Sequence, residues 1–487
     1  MLRRATFIVW TFGLFGLLAA QETSYPADTV YSPVFCEPPS LPAWHESIID
    51  STLPSPVRIY RLTRYNREWD WYPTHDYAKI QPWNADGSLI KFSSALLYDA
   101  RTGNILRSLP GDLWESRWAH TDPELIYSFR PDGTVKKYWP RRDSTHILLR
   151  LTGYESVRLG PGEGNTSWDD RRVSLIGKSG TDMEIVSIAL DTPRVLAARR
   201  FPDAWGESDR PRYIDWVSVS PSGRWTLIMW NTRLTSAEHP FQGHYGVELY
   251  TTDSLRFVRR LSPYGNHGDF NYTSAGSEVF VQFYGPSGTI HAYLLARDSI
   301  LTVHTHPDFG YGDAHLSGQN YLRPGWIYAS TDPSKGGLMV AIKLDGSQTV
   351  EYFGHHFSSA ANYAKSPMPV PSPRGEAVMF KSDFGHSENP DEVYDFIATA
   401  LPLQATGHTA LPAFRLFPNP FTGFICLDSN DPAWGITELR QPDGRLIRQW
   451  SPAVHCLQGA HHLRPGFYLI GIRKQNVIHY VKVIKSP

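Results

Sequence analysis

The chain is poor in cysteine, in net charge and in long apolar runs. Three cysteines occur in 487 residues, Cys36, Cys426 and Cys456, with no C-x-x-C pair, which argues against a zinc–thiolate site. Cys426 and Cys456 are close enough in sequence to pair within one small unit. The 47 basic and 48 acidic residues leave a formal net charge of −1, so no basic excess drives phosphate-backbone binding and nucleic acid is not expected as a partner. Neither G-x-S-x-G nor H-E-x-x-H is present, so the sequence offers no nucleophile elbow and no zincin helix. The one long apolar run, ATFIVWTFGLFGLLAA behind Met1-Leu2-Arg3-Arg4, has the layout of a secretory signal peptide over residues 1–20, cleaved after Ala20. No other stretch is long and apolar enough to span a bilayer. The expected product is an exported chain, not an integral membrane protein.

Turn formers and aromatics are plentiful. Gly and Pro number 38 each, and aromatics make up 13% of the chain with 16 Trp, a composition suited to many turns and β structure. The turns repeat. SPSGRWTLIMWN (220–231) and SPRGEAVMFKSDF (372–384) share a Ser-Pro, a turn ending in Gly and an alternating strand. FRPDGTVKKYW (129–139) and WNADGSLIKF (83–92) share the frame, and TSAGSEVFVQF and SWDDRRVSLIG (167–177) are looser versions. Turn glycines fall at 87, 133, 223, 276 and 375, Asp170 takes the equivalent place in one unit, and Gly325 marks a divergent one. Gly87 to Gly375 spans 288 residues, six steps averaging 48. Seven all-β units of that length predict a seven-bladed β-propeller over residues 58–400. Ser-Pro-x-Gly followed by a strand resembles the TolB-type propeller repeat, which serves many unrelated functions.

Polar residues recur just before each repeat turn: His75 and Asp76, His120 and Asp122, Asn165, Asp215, His267 and Asp269, His315 with Arg323, and His355. In a propeller the segment entering each innermost strand lies near the central channel, so these residues are expected to share one axial pocket or else to fix contacts between blades. Imidazoles beside carboxylates suit a divalent metal, with His120, His267 and His315 as the candidate ligands. A ring of such groups also suits glycan or peptide binding, or acid–base chemistry on a sugar. Paired carboxylates would favour a hydrolase, a His–Arg–metal set a lyase, and an aromatic plug a scaffold.

The run from His267 through HLSGQNYLRPGWIYAS to SPRGEAVMFKSDFG resembles secreted bacterial propellers related to oligogalacturonate lyases. That resemblance implies β-elimination of pectin fragments with a divalent metal held by histidines in a last-blade motif similar to HPHPSFSPDG. The matching stretch is Met368-Pro369-Val370-Pro371-Ser372-Pro373-Arg374-Gly375, apolar at both ligand positions. The lyase's catalytic residues therefore do not carry over.

After a linker at 401–412, residues 413–487 read as alternating strands broken by Pro-Asn-Pro, Pro-Asp-Gly and Arg-Pro-Gly turns, a small Ig-like β-sandwich. Four ordered motifs resemble the type IX secretion C-terminal sorting domain of Bacteroidetes. They are Phe417 with Pro418-Asn419-Pro420, Asp443 with Gly444-Arg445, a strand with Pro465, Gly466 and Tyr468, and a closing strand with Lys482 and Lys485. The resemblance implies a translocon partner and delivery to the cell surface or medium. The resulting expectation is an exported propeller that binds an extracellular glycan or peptide at its axis, with a carbohydrate-active lyase or hydrolase as the alternative.

Overall fold

The computed structural model describes residues 37–400 except 54–55, 68–69, 94–95, 207–210, 232–239, 285–288, 306–314 and 387. Of the C-terminal part it describes 414–485 except 418–423, 430–434, 442–444, 458–461, 465 and 475–476. The expected signal peptide, the linker, Cys36 and the motif residues Pro418, Asn419, Pro420, Gly444 and Pro465 lie outside the described residues.

Residues 47–400 form seven small antiparallel sheets in a propeller-like fold. The repeat turns explain their regular spacing. Gly87, Gly133, Gly223, Gly276, Gly325 and Gly375 all have positive φ, and Asp170 in the one glycine-less unit has φ 57°. Each turn reverses a short innermost strand into a longer second strand, and the left-handed residue permits the tight reversal. The innermost strands include Arg117–Trp118, Ile214–Val219, Gly268–Tyr272, Leu316–Ser317 and Val370–Pro371, and in the third sheet Thr166 takes that place through a single bridge to Val173. In the first sheet Trp83 takes that place through a single bridge to Ile90.

The second strands are apolar on both faces because each sheet is covered on both sides, as in Trp225–Trp230 and Ala377–Ser382. Apolar clusters join each sheet to the next. Trp118 and Ile126 meet Leu89 and Leu97, Val173 meets Phe129, Ile228 meets Ile185, and Phe280 meets Trp216. A larger cluster runs from Val281 through Ile327 to Phe380. Met379 of the last sheet then packs with Trp83, Ile90 and Phe92 of the first, which closes the succession.

The seventh sheet carries the seam. Its order runs Val370–Pro371, Ala377–Ser382, Tyr394–Ala400, Val57–Arg61 and Ser47–Asp50. Val57 pairs with Ala400 and Arg61 with Phe396, so residues 47–61 supply the two outer strands of this sheet. The seventh sheet thus includes a strand that starts before residue 58, at Ser47.

Residues 414–485 form a three-stranded and a four-stranded sheet around Ile425, Leu427, Ile436, Leu439, Leu457, Ile470 and Ile472. Cys426 and Cys456 pair across adjacent strands and are joined by a disulfide. Arg445 accepts a backbone hydrogen bond from Gln441 at its turn. Gly466 opens a strand in which buried Tyr468 donates its hydroxyl to the Arg464 carbonyl. Lys482 and Lys485 lie in the edge strand Val477–Lys485. Lys485 is buried. Among the described residues no helix is long and apolar enough to cross a membrane.

Candidate functional site at the channel mouth

In a ring of sheets, residues from non-adjacent sheets touch only across the centre. One segment, residues 74–82, makes such contacts on many sides. His75 Nδ1 lies 2.8 Å from Asp395 of the seventh sheet. Asp76 pairs with Lys91 of the first sheet at 3.1 Å. The Tyr77 hydroxyl is 2.8 Å from His267 Nδ1 at the entry to the fifth sheet. Lys79 lies 2.5 Å from Glu163 before the innermost position of the third and 3.8 Å over the Trp216 ring of the fourth. Gln81 donates to the carbonyls of Gln319 and Pro371, in the sixth and seventh sheets, at 2.9 and 3.0 Å. The segment crosses the channel and closes it below the mouth.

The mouth lies where innermost strands begin, and it collects His267, Asp215, His315, Glu163, Tyr77, Lys79 and Asp76. The His267 and His315 ring centroids are 4.4 Å apart, and Tyr363 lies 5.8 Å from His315 on the lip, 61% exposed. Three cations back the site: Lys91, Arg117 and Lys381, all buried. Arg117 donates to the carbonyls of Gly162, Gly164 and Ser116 and to Asn165. Lys381 Nζ lies 3.2 Å from the Asp76 carbonyl and 3.4 Å from Met368 Sδ.

The formal charges that reach water at the mouth are negative. Asp76 and Glu163 keep 26% and 25% of their side-chain area accessible, and Asp215 is exposed. Burial works against the Asp76 charge, but Lys91, Arg117 and Lys381 outweigh it and hold the carboxyl below its ordinary range. Asp215 behaves oppositely: the surrounding protein, then the Glu163 charge, raise its carboxyl to about 6 against the pull of Lys79. Asp269, one layer deeper, is also raised to about 6 by burial, although Gln319 and the Gly318 N–H donate to it at 2.9 and 2.8 Å. Burial, with Glu163, Tyr363 and Asp215 nearby, raises the Tyr77 hydroxyl well above its ordinary value, so it stays protonated.

The other sequence candidates are elsewhere or structurally engaged. His75 is enclosed between Asp395 and the Met368 carbonyl. Asn165 bonds the Lys79 carbonyl and Arg117. His355 lies on an outermost strand and meets Asp50 of the seam at 2.8 Å. Arg323 pairs with Glu351 at 2.7 Å and stacks on Trp326. Asp122 caps the backbone N–H of Glu124. His120 follows its innermost strand instead of preceding it. It meets Asp170 at 3.2 Å and the Tyr321 ring at 4.7 Å, while Trp168 meets Tyr272 at 5.3 Å. These aromatics, drawn from the second, third, fifth and sixth sheets, close the far end of the channel. Among the described residues no three His, Cys, Asp or Glu side chains gather as a metal cluster, and His120 is not joined to His267 and His315.

Sequence reading passed over Tyr77, Lys79, Lys91, Arg117, Glu163, Lys381 and Tyr363. For Lys91 and Lys381 a signal was present: each interrupts a strand otherwise built for a core, LIKF and VMFKS. Nothing local marked Glu163 or Tyr363.

No family model matches the chain, and no curated protein matches it. Among solved structures it is similar to an oligogalacturonate lyase in complex with manganese. The identity is 13%, 73% of this chain and 96% of that one are covered, and the TM-score is 0.52. An oligogalacturonate lyase from Vibrio parahaemolyticus is 12% identical with the same coverages and a TM-score of 0.47. At such identity the likeness concerns the fold.

Proposed function

We propose that the chain is an exported seven-bladed propeller that recognises an extracellular glycan at the channel mouth, with its C-terminal unit serving as a type IX sorting domain. The carrying observation is the crossing segment 74–82, whose side chains reach the third, fourth, fifth, sixth and seventh sheets. Its accessible groups are the carboxylates of Asp76, Glu163 and Asp215, the Tyr77 hydroxyl and the exposed Tyr363 ring. Carboxylates accept from sugar hydroxyls, and a lip aromatic stacks on a pyranose face. The accessible formal charges are negative, with the cations buried behind them. This favours neutral or amino sugars over uronates, which the carboxylates would repel.

A metal-dependent elimination has less support. The resemblance to oligogalacturonate lyases puts metal ligands where this chain has Met368 and Val370, both buried and apolar. The cation beside Met368 Sδ is the Lys381 ammonium. The donor set does not fit a divalent ion at that place.

Calorimetry of the purified full chain with neutral, amino and uronic acid oligosaccharides tests the reading. Binding of a neutral or amino sugar that weakens in His267→Ala supports it. Binding of uronates alone, or of no glycan, overturns it.

A further inference from the structure

The fifth sheet carries polar groups beside the mouth that recognition at the axis does not use. Its strand Gly268–Tyr272 begins at the mouth, and the antiparallel neighbour Glu278–Tyr284 ends there. The Phe283 N–H donates to the His267 carbonyl at 3.3 Å, so the next residue, Tyr284, lies beside the mouth. In the pairing of Glu278–Tyr284 with Thr289–Leu294, Gln282 stands opposite His291 and Phe280 opposite Tyr293. Strand alternation therefore puts Gln282, Tyr284, His291 and Tyr293 on one face. That face meets the fourth sheet: Gln282 Nε2 donates to Ser262 Oγ at 2.8 Å, and Tyr293 packs with Trp216 and Leu249.

Three polar atoms on this face are buried and have no hydrogen-bond partner among the described residues: Gln282 Oε1, His291 Nδ1 and the Tyr293 hydroxyl. Gln282 is 0% and Tyr293 3% exposed. The Tyr293 hydroxyl lies beside Ser262 and Gln282 but in bonding geometry to neither. Buried polar atoms are almost always bonded, so three orphans on one face mark a place that lacks a partner. At its edge the Tyr284 ring stacks on His291 with centroids 4.5 Å apart and meets Tyr264 edge to face at 5.9 Å. Both tyrosines are 37% exposed.

We infer that this cleft between the fourth and fifth sheets is a second sugar subsite, taking a neutral pyranose of a glycan whose neighbouring unit occupies the mouth. The inference rests on the glycan-binding reading above. The Tyr264 and Tyr284 rings cover the apolar face of the sugar, and its hydroxyl groups reach Gln282, His291 and Tyr293 as the rings turn aside. A hydroxyl both donates and accepts, so it satisfies an amide oxygen, a phenol and either imidazole tautomer. The three partners are neutral groups. Burial lowers the His291 imidazole from its ordinary value, so it stays uncharged at neutral pH. Nothing among the three rewards a charge on the sugar.

The test is calorimetry of the purified full chain with neutral oligomers of galactose, xylose, glucose and mannose and with glucosamine oligomers, from monosaccharide to hexasaccharide. For at least one neutral class, affinity in wild type should rise by on the order of tenfold with length. Tyr264→Ala and Tyr284→Ala should each remove that rise while melting temperature holds, and Tyr284→Phe, which keeps the ring, should retain it. His267→Ala should weaken sugars of every length. Affinity independent of length in wild type overturns the inference and leaves recognition at the mouth standing, as does a rise that persists in both alanine variants. Binding of glucosamine oligomers alone has the same meaning. No binding by any member of the panel overturns both proposals.

Discussion

The seam and the mouth use the same residue types for different ends. At the seam, His75 and His355 are buried and each meets one carboxylate at 2.8 Å, Asp395 and Asp50. Those carboxylates also take the histidines' own backbone N–H groups, at 2.5 and 2.9 Å. Every such bond ties the N-terminal segment to residues about 300 positions later. At the mouth, His267 is only partly buried and faces a tyrosine, and the neighbouring carboxyl groups reach water. A histidine–aspartate pair with all its bonds turned inward fixes topology, whereas partly open groups of the same kind are available to a ligand.

Substitutions that separate folding from binding test the comparison. The largest expected effect is at Asp395. Asp395→Ala strands the buried His75 imidazole and should cost about 3–5 kcal/mol in urea unfolding, while any chain still folded binds ligand as before. A large loss of affinity without a loss of stability would break the comparison. Next comes the pH response of the seam. The Asp50 carboxyl is lowered from 3.8 to about 2: burial opposes its charge, but His355 and Thr52 outweigh burial. A depressed carboxylate stabilises the fold above its ordinary value, and that contribution fades as pH falls from about 4 toward 2. Wild type should therefore lose about 2 kcal/mol over that window, and Asp50→Asn should flatten this part of the curve.

Smaller effects belong to the mouth. Tyr77→Phe removes the hydroxyl 2.8 Å from His267 and should weaken ligand binding about tenfold, with little change in melting temperature. Should melting collapse instead, Tyr77 would join the seam histidines as a structural residue. Tyr363→Ser, on a side chain 61% exposed, should change stability by less than about 0.5 kcal/mol and affinity severalfold. Equal affinity in that variant would remove the lip from the site.

Much of the scaffold was legible because it is local. Each turn residue and the strand after it lie within a dozen positions, and even Asp170, which stands where the other units have glycine, has the left-handed φ of 57°. The C-terminal cysteines were legible for the same reason. The seam was not, because Val57 and Ala400 pair without any local pattern announcing it. The mouth was half legible. Of the polar residues before each turn, His267, Asp215 and His315 lie at the mouth. His75 and His355 share the pattern but are spent on closure, and His120 lies past its strand at the aromatic end. The crossing of residues 74–82 could not be read, since a nine-residue loop carries no mark of spanning a channel. Lys79 and Glu163 became partners only through that crossing.

The pairing of Val57–Arg61 with Tyr394–Ala400 has a consequence in time. A ribosome adding 5–20 residues per second needs roughly 20–70 s to travel from one of these strands to the other. Throughout that interval Val57–Arg61 has only Ser47–Asp50 beside it, and its other hydrogen-bonding edge is bare. Six sheets can take shape early, but the circle stays open until nearly all of the first 400 residues exist. The chain therefore stays an open thread for a long period, and a chaperone that covers residues 47–61 would prolong it.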